Sequence, residues 1–171
     1  ADAIVESKGG VTEIAYTKDE GDDEVTMTDA VKNADQKAEE SRQAAKAAYP
    51  GWRATPAVKR AQILYNVRNL LIEHMEELTR IVAEENGKVW SEAEGDVLKA
   101  KEGTELATQV PSLMMGESMM DASTGFDTVK YREPMGVFAG IVPVNFPAMI
   151  PFGWMTPTCV ACGNTIVLKA A

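Results

Sequence analysis

The run Pro143-Val144-Asn145-Phe146-Pro147 sets one amide side chain between two prolines, directly after an apolar stretch ending at Val142. Proline fixes its own φ and biases the preceding residue toward extended backbone. An amide held this way loses little entropy on forming a bond, so it suits stabilising a developing oxyanion. The residues alone leave two readings open, a turn-forming Asn or that donor. Lys169 closes a second apolar run, Thr165-Ile166-Val167-Leu168-Lys169. An ammonium at a strand end can bond ribose hydroxyls or a phosphate, and it can equally be a surface Lys.

The other reactive side chains point elsewhere. Cys159 and Cys162 fall in the last turn of an expected helix, where the dipole raises a thiol's pKa. A "CVAC" there is not a thioredoxin-like motif, which opens its helix. It is not half of a zinc site either, because no second pair follows and His74 is the only histidine. Both cysteines are expected to pack, His74 to be exposed on a helix, and no metal to be bound. The acidic run Asp19–Glu24 lacks the x-Gly-x5-Glu continuation of a calcium loop and is expected to be a solvated loop.

The composition limits the partners. The chain has 171 residues, enough for one ordinary domain with a small extension, and 45% of them are apolar, which supports a packed core. A net charge of −9 argues against nucleic acid and anionic membranes as partners. No run approaches the ~18 consecutive apolar residues of a membrane span, and no basic-then-apolar leader opens the sequence. Two cysteines give no disulfide framework, so a reducing cytoplasm is the expected location.

Several elements must position Asn145 and Lys169. Val11–Tyr16 alternates like a short strand. A helix is expected from Thr28, its N-cap, to a stop at Tyr49-Pro50-Gly51. A second opens with Thr55 as cap and Pro56 as first residue, and runs to Asn86. Its buried face is Leu64, Val67, Leu71, Met75, Leu78 and Val82, with Gly87 as the left-handed stop. A third covers about Val89 to Val110, with Ser91 and Glu94 spaced as a capping box and Pro111 ending it. The Met-rich segment 112–120 reads as packing filler. Strands follow at 127–133 and 136–142, then a helix from about Pro147 to Cys162 stopped by Gly163, then the strand 165–169. The last three form a βαβ unit, in which ligands sit at the carboxyl ends of the strands. Asn145 and Lys169 both fall at that end. The glycine-rich fingerprint G-x-G-x-x-G is absent.

The segments "REPMGVFAGIVPVNFPAMIP" and "ACGNTIVLKAA" closely resemble the aldehyde dehydrogenase superfamily, in which strand, P-x-N-F-P, helix and G-N-T-x-V-L-K form a specific signature. The likeness extends over about residues 11 to 171. It is greatest to the methylmalonate-semialdehyde branch, which acylates coenzyme A. The resemblance implies an α/β fold: helices packed on the first strands of a Rossmann-like parallel sheet, plus an oligomerisation strand. It divides the chain into an N-terminal arm (1–27), a helical part of the NAD-binding domain (28–126), a strand for subunit pairing (127–135) and the start of the βαβ unit (136–171). It further implies homodimers or homotetramers.

The same resemblance assigns roles. Asn145 would be the side-chain half of an oxyanion hole for a thiohemiacetal. Ile141, Val142, Pro143 and Val144 would line the NAD cleft, and Lys169 would bond the adenine-ribose hydroxyls. The substrate would be an aldehyde, and the acceptor of the acyl group coenzyme A or water. Lys99 stands where that branch has an Arg thought to grip a substrate carboxylate; it keeps the charge and loses the bidentate fork. Val144 replaces a common aromatic. The segment "PFGWMTPTCVACGN" is one residue longer than the family pattern, which leaves two readings open, a π-bulge at Gly153 or a variant branch. The nucleophilic Cys and the catalytic Glu residues of the family fall beyond residue 171, so this chain alone is not expected to turn over an aldehyde. The alternative reading is a non-catalytic nucleotide-binding or assembly module.

Overall fold

The structure is a computed structural model that describes residues 3–8, 11–16 and 27–170. The acidic run 19–24 lies outside the described residues. The fold divides at Ala44/Ala45 into two compact units. In the first, β1 (Ala3–Lys8) pairs antiparallel with β2 (Val11–Tyr16) in unbroken register, Ala3 opposite Tyr16 through Lys8 opposite Val11.

The helix α1 covers Met27–Ala54 and spans the division. It begins one residue before Thr28, so Thr28 is not its cap, and it runs through Pro50 where a stop was expected. Tertiary contacts explain the continuation. The Tyr49 hydroxyl donates to the Pro134 carbonyl at 3.0 Å, the Trp52 indole N–H to the Val160 carbonyl at 2.9 Å, and Arg53 pairs with Glu133 at 2.9 Å. Three bonds, two to the Glu133–Pro134 stretch and one to the later helix that holds Val160, outweigh the single backbone bond that a proline forfeits.

The expected long helix is two: α2 (Ala57–Glu73) and α3 (Met75–Asn86). The break is at His74, whose φ of −101° and ψ of 16° leave the helical range. The apolar face changes target there. Leu64 packs with Ala107, Val110 and Ala161, whereas Met75, Leu78 and Val82 pack with Ala93, Val97, Ala100 and Ala148. Pro56 is the N-cap of α2, and Thr55 instead donates its hydroxyl back to Gly51. Gly87 has the expected left-handed φ, 74°.

Helix α4 (Trp90–Ala107) joins the two clusters. Ala93, Val97, Ala100, Thr104 and Ala107 step by three or four and are almost completely buried. Val89 is its N-cap and no side chain caps it, so the Ser91/Glu94 box does not form. A short α5 (Val110–Leu113) follows, with Pro111 in its first turn. The Met-rich segment is packing filler only at Met114, which lies against the Leu64 cluster. Its second half is β3 (Glu117–Ser123), which pairs antiparallel with β4 (Phe126–Lys130), and every residue of both strands is exposed, Met119 and Met120 among them.

The parallel pair is β5 (Val137–Ile141) and β6 (Thr165–Lys169), in register from Val137 opposite Thr165 to Ile141 opposite Lys169. Their crossover opens as a π-helical segment, Ile150–Met155, and continues as α6 (Thr156–Ala161). The wide turn lies at Gly153. An added Cβ there would come 2.9 Å from the Lys99 carbonyl oxygen, and one at Gly103 would come 2.4 Å from the Gly153 oxygen. Two glycines thus let the crossover touch α4 backbone to backbone. Pro157 has no N–H to give the Phe152 carbonyl five residues earlier; the buried Thr104 hydroxyl takes that carbonyl instead, at 2.7 Å.

Candidate functional site

The register of the parallel pair decides where the reactive side chains emerge. Ile141 and Lys169 are opposite each other at the carboxyl ends, and the Val142 N–H extends the ladder to the Lys169 carbonyl at 3.1 Å. The chain then leaves β5 through Pro143–Pro147 and enters the crossover. Asn145 and Lys169 therefore share one end of the sheet, and both are exposed. Ile141, Pro143 and Val144 are exposed beside them, whereas Val142 is buried. Val142 and Val144 line a groove of about 840 Å³, with Leu71, Leu78 and Val82 of α2 and α3 and Leu168 of β6.

The loop that carries Asn145 is held from the α3–α4 side by three residues absent from the sequence reading. Asn86 Nδ2 donates to the Val144 carbonyl at 2.7 Å. Lys88 Nζ lies 4.8 Å from the centroid of the Phe146 ring. The buried carboxylate of Asp96 accepts the Met149 N–H at 2.9 Å and the Ala148 N–H at 3.4 Å, and lies 3.5 Å from Lys88 Nζ. An anion at the first amides of a helix is favoured by the helix dipole and by the unpaired N–H groups there. Spacing along the chain gave no sign of this, because Asp96 reads in sequence as one more charge on an amphipathic helix. A fourth missed residue is Asn164. Its buried side-chain oxygen accepts the N–H groups of Met135 and Gly136, at 2.7 and 3.0 Å, and so fixes the start of β5 against β6.

Lys99 is exposed on α4, where its ammonium is 2.6 Å from the Glu102 carboxylate. It is engaged there by Glu102 and not by any group of the 143–147 loop. His74 is half exposed at the α2–α3 junction, its Nδ1 3.0 Å from Glu77.

The cysteines are free and partly buried. Burial pushes the Cys159 thiol up to about 11, and the neighbouring Cys162 adds to the rise. Burial also raises Cys162, against the pull of Arg60. Thiolate is the reactive form, so its fraction at Cys159 should climb about tenfold per pH unit until near 11. Alkylation by iodoacetamide, followed by peptide mass spectrometry, should be slow at both positions at pH 8 and accelerate steeply toward pH 11. Fast labelling of Cys159 at pH 8 would contradict its packing role.

Among the described residues no group of three or more His, Cys, Asp or Glu side chains could hold a metal ion, and no helix is long and apolar enough to cross a membrane.

Comparison with known proteins gives a consistent set of relatives. The model of the aldehyde dehydrogenase family matches residues 7–171. A malonate-semialdehyde dehydrogenase of Geobacillus kaustophilus is 44% identical over 165 residues, which are 96% of this chain and 33% of that protein. The methylmalonate-semialdehyde dehydrogenase structure from Oceanimonas doudoroffii superposes with a TM-score of 0.75 at 41% identity, over 78% of this chain and 27% of that one. A structure from Sinorhizobium meliloti 1021, complexed with NAD, gives 0.74 at 38% identity, over 77% and 26%. The chain thus spans a third or less of the length of these relatives, and its helices and small parallel sheet match the N-terminal part of their fold.

Proposed function

Because the chain belongs to the aldehyde dehydrogenase family, we propose that it forms one wall of an active site that oxidises an aldehyde, with a carboxylated semialdehyde as substrate. The observation that carries this reading is the parallel register, which leaves Asn145 and Lys169 at one open end of the sheet. The Asn145 amide donates to the aldehyde oxygen as it gains charge, a role suited to a donor fixed before the reaction starts. The nucleophile that attacks the carbonyl carbon is neither Cys159 nor Cys162, whose thiols burial holds in the protonated form.

The rim fits NAD, which when bound accepts the hydride. Lys169 presents a solvent-exposed ammonium with no ion pair among the described residues, free to bond hydroxyls of the adenine ribose. Ile141, Pro143 and Val144 offer an exposed apolar edge, and Val142 backs it from the interior. Lys99 supplies positive charge for a substrate carboxylate on exchanging its partner Glu102. Coenzyme A as acyl acceptor follows the branch to which the sequence is most similar. Homodimers or homotetramers fit the complete exposure of β3 and β4, since a lone two-stranded ribbon is marginal in water. A cytoplasmic location belongs to the same reading.

The test uses the full-length protein, assayed for NADH formation with malonate semialdehyde and methylmalonate semialdehyde, with and without coenzyme A. The reading expects NAD reduction with both, faster turnover when coenzyme A is present, and none with the 171-residue chain alone. No NAD reduction with these or with simple aldehydes would end it.

A further inference from the structure

We propose that Asn86, Lys88 and Asp96 are positioning residues that aim the Asn145 amide by fixing the backbone on both sides of it. The proposal rests on the reading of Asn145 as an oxyanion donor.

The Asn145 side chain is exposed and has no hydrogen-bond partner among the described residues. Its direction must therefore come from its backbone. Each of the three residues grips a different point of that backbone or its flanks. Asn86 holds the carbonyl of Val144, one residue before. Lys88 covers the ring of Phe146, one residue after. Asp96 holds the amides of Ala148 and Met149, three and four residues after. The two prolines at 143 and 147 remove φ freedom from the same segment. A peptide so bracketed has few ways left to rotate, and Asn145 lies at its centre.

The three grips are also linked to one another. Lys88 Nζ is 3.5 Å from the Asp96 carboxylate as well as over the Phe146 ring, and only 15% of its side chain is exposed, against 1% for Asp96. Removing the Asp96 charge would leave Lys88 without its ion partner and two helix amides with a weaker acceptor. The loop would then sample more orientations. A displacement near 1 Å at a catalytic donor costs about 10²-fold in rate, so small motions suffice. A merely structural carboxylate would give a different result, a loss of stability with the chemical step untouched in the molecules that remain folded.

A double-mutant cycle on the full-length protein separates the two. The readout is the single-turnover rate of NADH formation, with KM for NAD measured alongside. Asn145→Ala should slow the step about 10²–10³-fold, and Asp96→Asn about 10–100-fold with KM for NAD unchanged. In the Asn145→Ala background, Asp96→Asn should cost little more, because the donor it aims is gone. Asn86→Ala, at a half-buried helix end, is the milder companion should Asp96→Asn fold poorly; it should cost about 3–10-fold and vanish in the same background. The inference falls if both Asp96→Asn and Asn86→Ala react at the parent rate, or if they lose the same factor with and without Asn145. In either case a slow Asn145→Ala leaves the oxyanion reading standing. A normal rate for Asn145→Ala would remove that reading and this inference together.

Discussion

In the full-length protein, Asn145→Ala lowers kcat about 10²–10³-fold, the usual cost of one oxyanion donor, and leaves KM for NAD close to its parent value. The split follows from the geometry. The amide is at the centre of the loop after β5, whereas the groups read as cofactor contacts run from the end of β5 at Ile141 to Val144, ahead of it in that loop, and across to Lys169 at the end of β6. Truncating an exposed side chain that bonds nothing among the described residues costs little stability, so a lost rate cannot be blamed on unfolding. Asn145→Asp should be as damaging or worse, since it sets a carboxylate where negative charge develops. An unchanged kcat, with chemistry shown to be rate-limiting, would remove Asn145 from the reaction.

Gly103→Ala destabilises the protein by about 3 kcal/mol or more, as overpacking against unyielding atoms does. The added Cβ would stand 2.4, 2.6 and 2.7 Å from the oxygen, Cα and carbonyl carbon of Gly153. All three are backbone atoms, so no rotamer relieves the clash, and α4 and the π-helical segment must separate. Separation also strains the bond from Thr104 to the Phe152 carbonyl. Gly95 provides the control on the same helix. A Cβ there meets nothing within 4 Å, so Gly95→Ala should stabilise by about 0.5–1 kcal/mol through helix propensity. Thermal melts of the two variants should move in opposite directions. A Gly103→Ala melt matching the parent would show that the two backbones are not in contact.

The sequence was most informative where one local pattern met one local structure. The parallel pair could be read because its strands are apolar runs bounded by Gly136, the prolines and Gly163. The π-bulge at Gly153 could be read, as one of two readings, because the helix between them is one residue too long for its frame. Gly87 could be read because a left-handed stop selects glycine. Reading failed wherever a distant partner decided the outcome. Pro50 lies inside α1 because Tyr49, Trp52 and Arg53 bond to residues some 80 to 108 positions away. The break at His74 exists because two separate clusters divide one apolar face. The methionines of β3 are exposed because their segment pairs with β4, a choice that hydrophobicity cannot express. At the site, the placement of Asn145 and Lys169 at one end of the sheet could be read from where they follow their strands, while the contacts of Asp96, Asn86 and Lys88 could not, because nothing in their spacing points to the loop they hold.

Asp96 precedes the amides it receives by 52 and 53 residues, and Asn86 precedes Val144 by 58. Helix pairs close through local contacts and do so early, while contacts of such separation wait for a large loop to close. A chain emerging from the ribosome therefore completes the α3–α4 hairpin before the proline-bracketed segment has emerged beside it. In that interval the carboxylate is hydrated and open, a vacant socket. It gives up its water only when the amides of Ala148 and Met149 arrive, so the loop of Asn145 takes its shape from a mould made ahead of it.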